Sequence, residues 1–134
     1  MALQYSTTHR TNAMTDIATQ VGSSGLLKIW TGSPPATCAT ADSGSLLATL
    51  TCNAGGFGSA SGGVLTVSAI TSNTASGTGT AGYFRIYPSA ATSTNAVLQG
   101  LCGTSGSDLN LSSLSISSGQ TVSITSMSIT AFGA

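Results

Sequence analysis

The side chains able to do chemistry in this chain are few: Asp16, Asp42 and Asp108, the single His9, and Cys38, Cys52 and Cys102, with no Glu at all. Hydrolysis and proton transfer need paired carboxylates, or a nucleophile with a base and an orienting acid. Asp16 falls in a helical segment, Asp42 and Asp108 fall in loops, and no spacing brings two of them together. His9 has no metal-ligand partner at a usable distance along the chain. A pairing of His9 with a cysteine comes nearest to a nucleophile and its base, and nothing in the spacing favours it. The glycine runs lack a Lys-Ser/Thr ending and do not lead from a strand into a helix, so they are not phosphate loops. The expectation is a protein without catalytic residues, metal or cofactor, and not an enzyme.

The elements around these groups follow from composition. Of 134 residues only three are Lys or Arg and three Asp, for a net charge of zero. Helix surfaces are normally clothed in Glu, Lys, Gln and Arg, so a chain solvated by Ser and Thr reads as mainly β. Nucleic-acid binding needs a cationic surplus to release counterions, and electrostatic membrane attachment needs the same; neither partner is expected. No apolar run is long enough to span a bilayer. The first residues lack the basic start and apolar core of a secretion signal, which points to synthesis and use from the cytoplasm.

One helix is predicted over residues 6–21, where Met14, Ile17, Ala18 and Val21 form an apolar stripe, Ser6 can cap the start and Gly22 the end. Strands follow by alternation. Residues 26–31 place Leu27 and Ile29 inward, with Leu26, Lys28 and Trp30 on the other face. That second face is either a modest interface signal or is covered by loops. Residues 32–44, with Pro34-Pro35, form an extended loop. Residues 46–52 put Leu46, Ala48, Leu50 and Cys52 inward. Residues 53–63 run without periodicity, so Phe57 is either an anchor for a partner's pocket or a plug beneath its own loop. Residues 64–70 form a strand with Leu65, Val67 and Ala69 inward, and a second glycine-threonine loop spans 71–82. Residues 83–87 separate Phe84 and Ile86 from Tyr83, Arg85 and Tyr87, where an Arg between two Tyr can stack. Residues 96–102 are interrupted by Gly100, a candidate bulge. Cys52 and Cys102 fall on apolar parities, as small buried hydrophobes do; a disulfide between them stays open.

Residues 109–132 read as a closing hairpin turning at Ser118-Gly119. Pairing Ile116 with Val122 sets Leu114 against Ile124, Leu111 against Met127 and Leu109 against Ile129. Both strands then change phase at Ser112-Ser113 and Thr125-Ser126, the pattern of a bulged, bending hairpin. The alternative is four short strands with unrelated ends. Seven or eight strands at this spacing predict a jelly-roll-like antiparallel β-sandwich, one domain over residues 1–134, with an N-terminal arm and helix over 1–22 and the sandwich over 26–132.

Met1-Ala-Leu-Gln-Tyr-Ser6 with a short helix, then Leu27-Lys-Ile-Trp-Thr-Gly-Ser-Pro-Pro35, Ala39-Thr-Ala-Asp-Ser-Gly44 and Leu46-Leu-Ala48, resembles small structural proteins of tailed bacteriophages and prophages. Gly79-Thr-Ala-Gly-Tyr-Phe-Arg-Ile-Tyr87, Gln99-Gly100 and Ser117-Ser-Gly-Gln-Thr-Val-Ser-Ile124 continue the pattern in the same order. The chain departs from it at residues 53–63, where Phe57 stands in place of an acidic-aromatic pair. The resemblance implies a head decoration, or cement, protein with a jelly-roll-like sandwich, on the outer surface of the capsid and assembled in the host cytoplasm. Its partners would be the major capsid protein and further copies of itself, dimers by preference. Tyr5, Arg10, Trp30 and Phe57 are the candidate contact residues. A tail or fibre component and a glycan-binding module using Tyr83, Tyr87 and Trp30 are the competing readings.

Overall fold

The computed structural model describes residues 3–52, 57–67 and 70–134. Its elements are α1 (Thr7–Val21), β1 (Leu26–Thr31), β2 (Leu46–Thr51), β3 (Gly58–Ser61), β4 (Val64–Val67), β5 (Asn73–Thr74) and β6 (Gly79–Tyr87). They continue with β7 (Leu98–Gly103), β8 (Leu109–Leu111), β9 (Ser115–Ile116), β10 (Thr121–Val122) and β11 (Ile124–Thr130). The body is mainly β and sandwich-like with one N-terminal helix, as the composition predicts. Its main sheet runs β2-β1-β6-β7-β8-β11-β4-β3, and β9 adds to β6. The pair β7–β8 is parallel, so the sheet is mixed rather than wholly antiparallel. The sheet curls: Leu27 and Leu47 from one end share a buried cluster with Leu65 and Met127 from the other. Each large aliphatic side chain so enclosed contributes roughly 1.5–3 kcal/mol.

The helix forms where its stripe demands. Ser6 accepts a hydrogen bond from the His9 amide at 3.1 Å and Gly22 ends the helix by donating to the Ala18 carbonyl. Met14 and Val21 are buried, and Ile17 and Ala18 pack at the edge of the core.

Three elements differ from expectation. In β2 the partner of Trp30 is Leu46 and that of Ile29 is Ala48, so Leu47 is an extra residue opposite none. Such a bulge turns two consecutive side chains inward; Leu47 and Ala48 are both fully buried and Leu46 only half so. Residues 58–61 form β3, paired to β4 around Gly62-Gly63, because backbone bonding needs no apolar alternation. Of the inward residues expected in 64–70, Leu65 is buried, Val67 packs at the edge of the core, and Ala69 lies outside the described residues; Ile70, beyond the end of β4, packs at the edge of the core although its parity was not the inward one. Gly100 pairs regularly with Phe84 and is no bulge; a methyl there would stand 2.8 Å from the Asp108 carboxylate.

The closing hairpin turns where expected, with the Gln120 amide donating to the Ser117 carbonyl at 3.0 Å. Its register is different. Leu111 faces Ile124 and Leu109 faces Met127, with an irregularity between Ile124 and Ser126. Beyond it the two strands part: Ile116 pairs with Gly79 and Val122 with Asn73. The ribbon opens beyond Leu111 and Ile124 and each arm finds a new neighbour in residues 73–80, so short strands with separate partners replace the single bent hairpin with matched phase changes.

The face of β1 and β6 opposite the core is also covered. Arg85 is fully buried and donates from Nη1 to Asp42 Oδ1 at 2.7 Å and to the Ser93 carbonyl at 3.2 Å. It donates from Nη2 to the Thr37 carbonyl at 2.9 Å and from Nε to Gln99 Oε1 at 3.0 Å. Gln99 then donates to the Pro35 carbonyl at 2.8 Å, and the Tyr87 hydroxyl bonds Asp42 Oδ1. The guanidinium adds a second donor to the Thr37 and Ser93 carbonyls, which also accept the Thr40 and Asp42 amides. Replacing Arg85 by Ala leaves the Asp42 carboxylate, the Thr37 and Ser93 carbonyls and the Gln99 side-chain oxygen without it. The expected loss is about 3–5 kcal/mol, read from urea unfolding, whereas the exposed pair Asp16→Ala should shift stability by less than about 1 kcal/mol.

Candidate protein-contact surface

The groups singled out for chemistry are mostly engaged in structure. Asp16 accepts from Gln20 Nε2 at 2.6 Å, Asp42 holds Arg85, and Asp108 accepts the Leu101 amide at 3.0 Å. The ring of His9 lies 4.8 Å from that of Tyr5. All three cysteines are free thiols, which removes the disulfide. Burial pushes the Cys52 thiol up from 9.0 to about 11. Burial, and secondarily the nearby Asp108 charge, pushes Cys102 up to about 12. A nucleophilic thiol needs the opposite shift. Among the described residues no three His, Cys or Asp side chains gather as a metal site, and no helix is long and apolar enough to cross a membrane.

Trp30 is half-buried and stacks on Tyr83, ring centres 6.3 Å apart and 11° from parallel. The Tyr83 hydroxyl donates to the Ser43 carbonyl at 2.6 Å and accepts the Ser43 amide at 3.1 Å. Lys28 Nζ lies 5.1 Å from the centre of the Tyr87 ring. Tyr83 and Tyr87 have no exposed surface, so the aromatic platform that a glycan-binding reading requires is absent from the described surface. Phe57 is 1 % exposed. It is the plug, not the anchor, and is withdrawn as a contact residue.

Tyr5 and Arg10 are brought together. The Tyr5 amide donates to the Gly133 carbonyl at 2.8 Å, tying the two ends of the described chain, and the Tyr5 ring lies on Gly133 at a φ of 85°. Arg10 is half-buried; its Nη2 donates to Thr7 Oγ1 at 3.2 Å, and its buried Nε has no hydrogen-bond partner among the described residues. A methyl on Gly63 would stand 2.7 Å from Arg10 Nη1, so a glycine at this turn lets the β3–β4 hairpin meet the helix. The Gly63 amide donates there to Thr11 Oγ1 at 2.9 Å.

Beside these residues lie two depressions that share Met14 and Phe132 in their walls. One, of about 190 Å³, is lined by Tyr5, His9, Arg10, Ala13, Met14, Ala131 and Phe132. The other, of about 500 Å³, lies between α1, β7 and β11, with Met14, Ile17, Leu98, Met127, Ile129 and Phe132 among its walls and Asp108 at its rim. Phe132 is 91 % exposed, Leu3 74 % and Tyr5 45 %. Neither Trp30 nor Phe57 contributes to either depression. Sequence reasoning missed Phe132. Met127 and Ala131 point inward, so the alternation itself puts Phe132 outward, and that parity was the available signal.

Compared with family models, with curated proteins and with solved structures, the chain matches none.

The raised thiols carry two consequences. At pH 8, alkylation by iodoacetamide followed by mass spectrometry should label Cys38 first, with Cys52 and Cys102 slower by at least about tenfold. Because both folded thiols hold protons more tightly than the unfolded 9.0, stability is fully present below pH 9 and falls as pH rises toward 11 and 12. Urea midpoints should therefore decline across that window; a flat profile would contradict the burial of these thiols.

Proposed function

We propose that this chain is a non-enzymatic virion component, a capsid decoration or cement protein that binds the outside of the major capsid lattice and stabilises it. The observation that carries this reading is how the side chains divide. The ionisable Arg85, Asp42 and Tyr87 are turned inward to hold loops, while four large apolar or aromatic side chains, Leu3, Tyr5, Leu101 and Phe132, are left in water. That is a surface for adhesion to protein. The resemblance of the sequence to phage structural proteins supplies the setting.

Docked copies would bridge neighbouring capsid subunits and oppose the outward pressure of packaged DNA. Each contact can be modest, about 800 Å² per partner for a standard interface, because repetition over a lattice adds avidity. With Arg85 and Asp42 internal, the charges left to meet a partner are Arg10 and Lys28 against Asp16 and Asp108. Docking should therefore depend weakly on salt.

The test is co-sedimentation of the purified protein with isolated capsids stripped of it, followed by electron microscopy of the particles. Saturable binding, changing less than about twofold between low and moderate salt, with density on the head, is the expected outcome. Density confined to the tail would transfer the protein to a tail or fibre role, and absence of binding would end the reading.

A further inference from the structure

In the main sheet β8 stands between β7 and β11, yet it is only three residues long. It reaches Cys102 and Gly103 of β7 and residues 124–127 of β11, and both neighbours run on past its start. Among the described residues, 98–101 of β7 have β6 as their one strand neighbour, and 128–130 of β11 have β4. The chain does not carry β8 back into the space between them, because residues 104–108 bend, with Gly106 at a φ of 66°. Strands on either side of an absent one stand about 9.5 Å apart, the width of one further strand. The depression of about 500 Å³ is this channel: Leu98 and Gln99 line it from β7, Ser128 and Thr130 from β11, and Met14 and Ile17 from the helix.

Its walls offer backbone as well as volume. Alternate residues of an antiparallel strand bond the same neighbour. The Leu101 amide donates to Asp108 Oδ2 rather than to β6, so Gln99, of the same parity, turns its N–H and C=O toward the channel. The Ala131 amide donates to the Gly63 carbonyl, so Ala131 and Ile129 bond on the β4 side and the main chain of Thr130 faces the channel. A gap one strand wide, with ladder groups on both sides and apolar helix side chains against it, fits extended peptide. Of the residues lining it, Asp108 alone is charged, and it is exposed. We propose that the channel takes an extended segment of a partner protein, apolar at alternate positions and with Lys or Arg at the end beside Asp108, added as a strand between β7 and β11. Those two strands run antiparallel, so a segment of either direction lies parallel to one wall and antiparallel to the other. This goes beyond the decoration reading, which names no docking groove. It is tested without capsids, so the two can fail separately.

The experiment is titration of the isotope-labelled full chain with the peptide acetyl-Lys-Thr-Val-Thr-Val-Thr-Lys-amide, read by amide chemical shifts and hydrogen exchange. Binding should saturate with a Kd below about 1 mM, and exchange at Gln99 and Thr130 should slow at least about fivefold. The same peptide with Pro for its central Thr lacks a ladder donor and should bind at least about tenfold more weakly. Thr130→Pro removes an amide on the channel side alone, where a strand tolerates Pro, and should weaken binding by about as much with the circular dichroism unchanged; the two peptides decide the matter if this variant does not fold. Asp108→Asn keeps an oxygen for the Leu101 amide and removes the charge, and should cost about two- to fivefold at low salt. No saturation by about 2 mM peptide, or equal binding of the Pro peptide, would overturn the proposal. So would two other results: protection of Gln99 and Thr130 that rises with protein concentration in the absence of peptide, which gives the channel to a second copy, or shifts at Met14 and Met127 with amide exchange unchanged, which makes it a site for apolar ligands.

Discussion

The Arg85 guanidinium is the constraint on which the covered half of this structure depends. A buried cation is costly unless paired and saturated with acceptors, and here the acceptors come from distant parts of the chain: Asp42 and Thr37 in one loop, Ser93 in another, Gln99 on β7. Desolvating the ion therefore requires both loops to lie in place together. Once they do, Tyr83 and Tyr87 are enclosed on either side of it, the first held by Ser43 and the second by Asp42. In this way a single side chain converts a sheet face that alternation alone would leave half-solvated into a second buried layer.

That conversion marks the limit of what was legible. Periodicity reports which side of a strand a residue takes, and it placed Leu27, Ile29, Phe84 and Ile86 correctly in the core and the helical stripe against it. It reports nothing about what covers the other side, because a loop drawn over Tyr83, Arg85 and Tyr87 leaves no periodic trace. The same blindness explains β3. Gly58–Ser61 is a strand by virtue of its bonds to Val64–Val67, and a sequence of Gly, Ser and Ala shows no face. Leu47 was misplaced for a related reason: a bulge is one residue of backbone geometry that shifts the pattern without changing composition. In the closing hairpin the matched phase change misled: Thr125 sits at an irregularity inside the β8–β11 ladder, while Ser112-Ser113 lie past its end. The ribbon opens beyond that end, and the strands' new partners at Asn73 and Gly79 lie too far away in sequence for a local register to reveal them.

The contact surface was half legible. Tyr5 and Arg10 could be chosen as polar or aromatic groups at a helix start, but their meeting with Phe132 depends on the chain's two ends being tied by the Tyr5–Gly133 hydrogen bond. Among the described elements, the helix packs chiefly on β3 and β4. Gly63 admits this close approach, and the consequence is that the flank of the helix facing β7 and β11 is left unfilled. The channel is thus a by-product of where the helix must sit to bury Met14 and Val21.

A protein with net charge near zero has little electrostatic repulsion to keep its copies apart. Hydration of its surface falls to hydroxyls, and Ser and Thr hydrate a surface without giving it long-range direction. Under that condition a contact between copies cannot be selected by a broad field, only by shape and by whatever isolated charges flank the apolar area. The scarcity of charge that first read as an absence of chemistry would also leave shape and exposed apolar side chains, Phe132 foremost, to decide which protein surface this one fits.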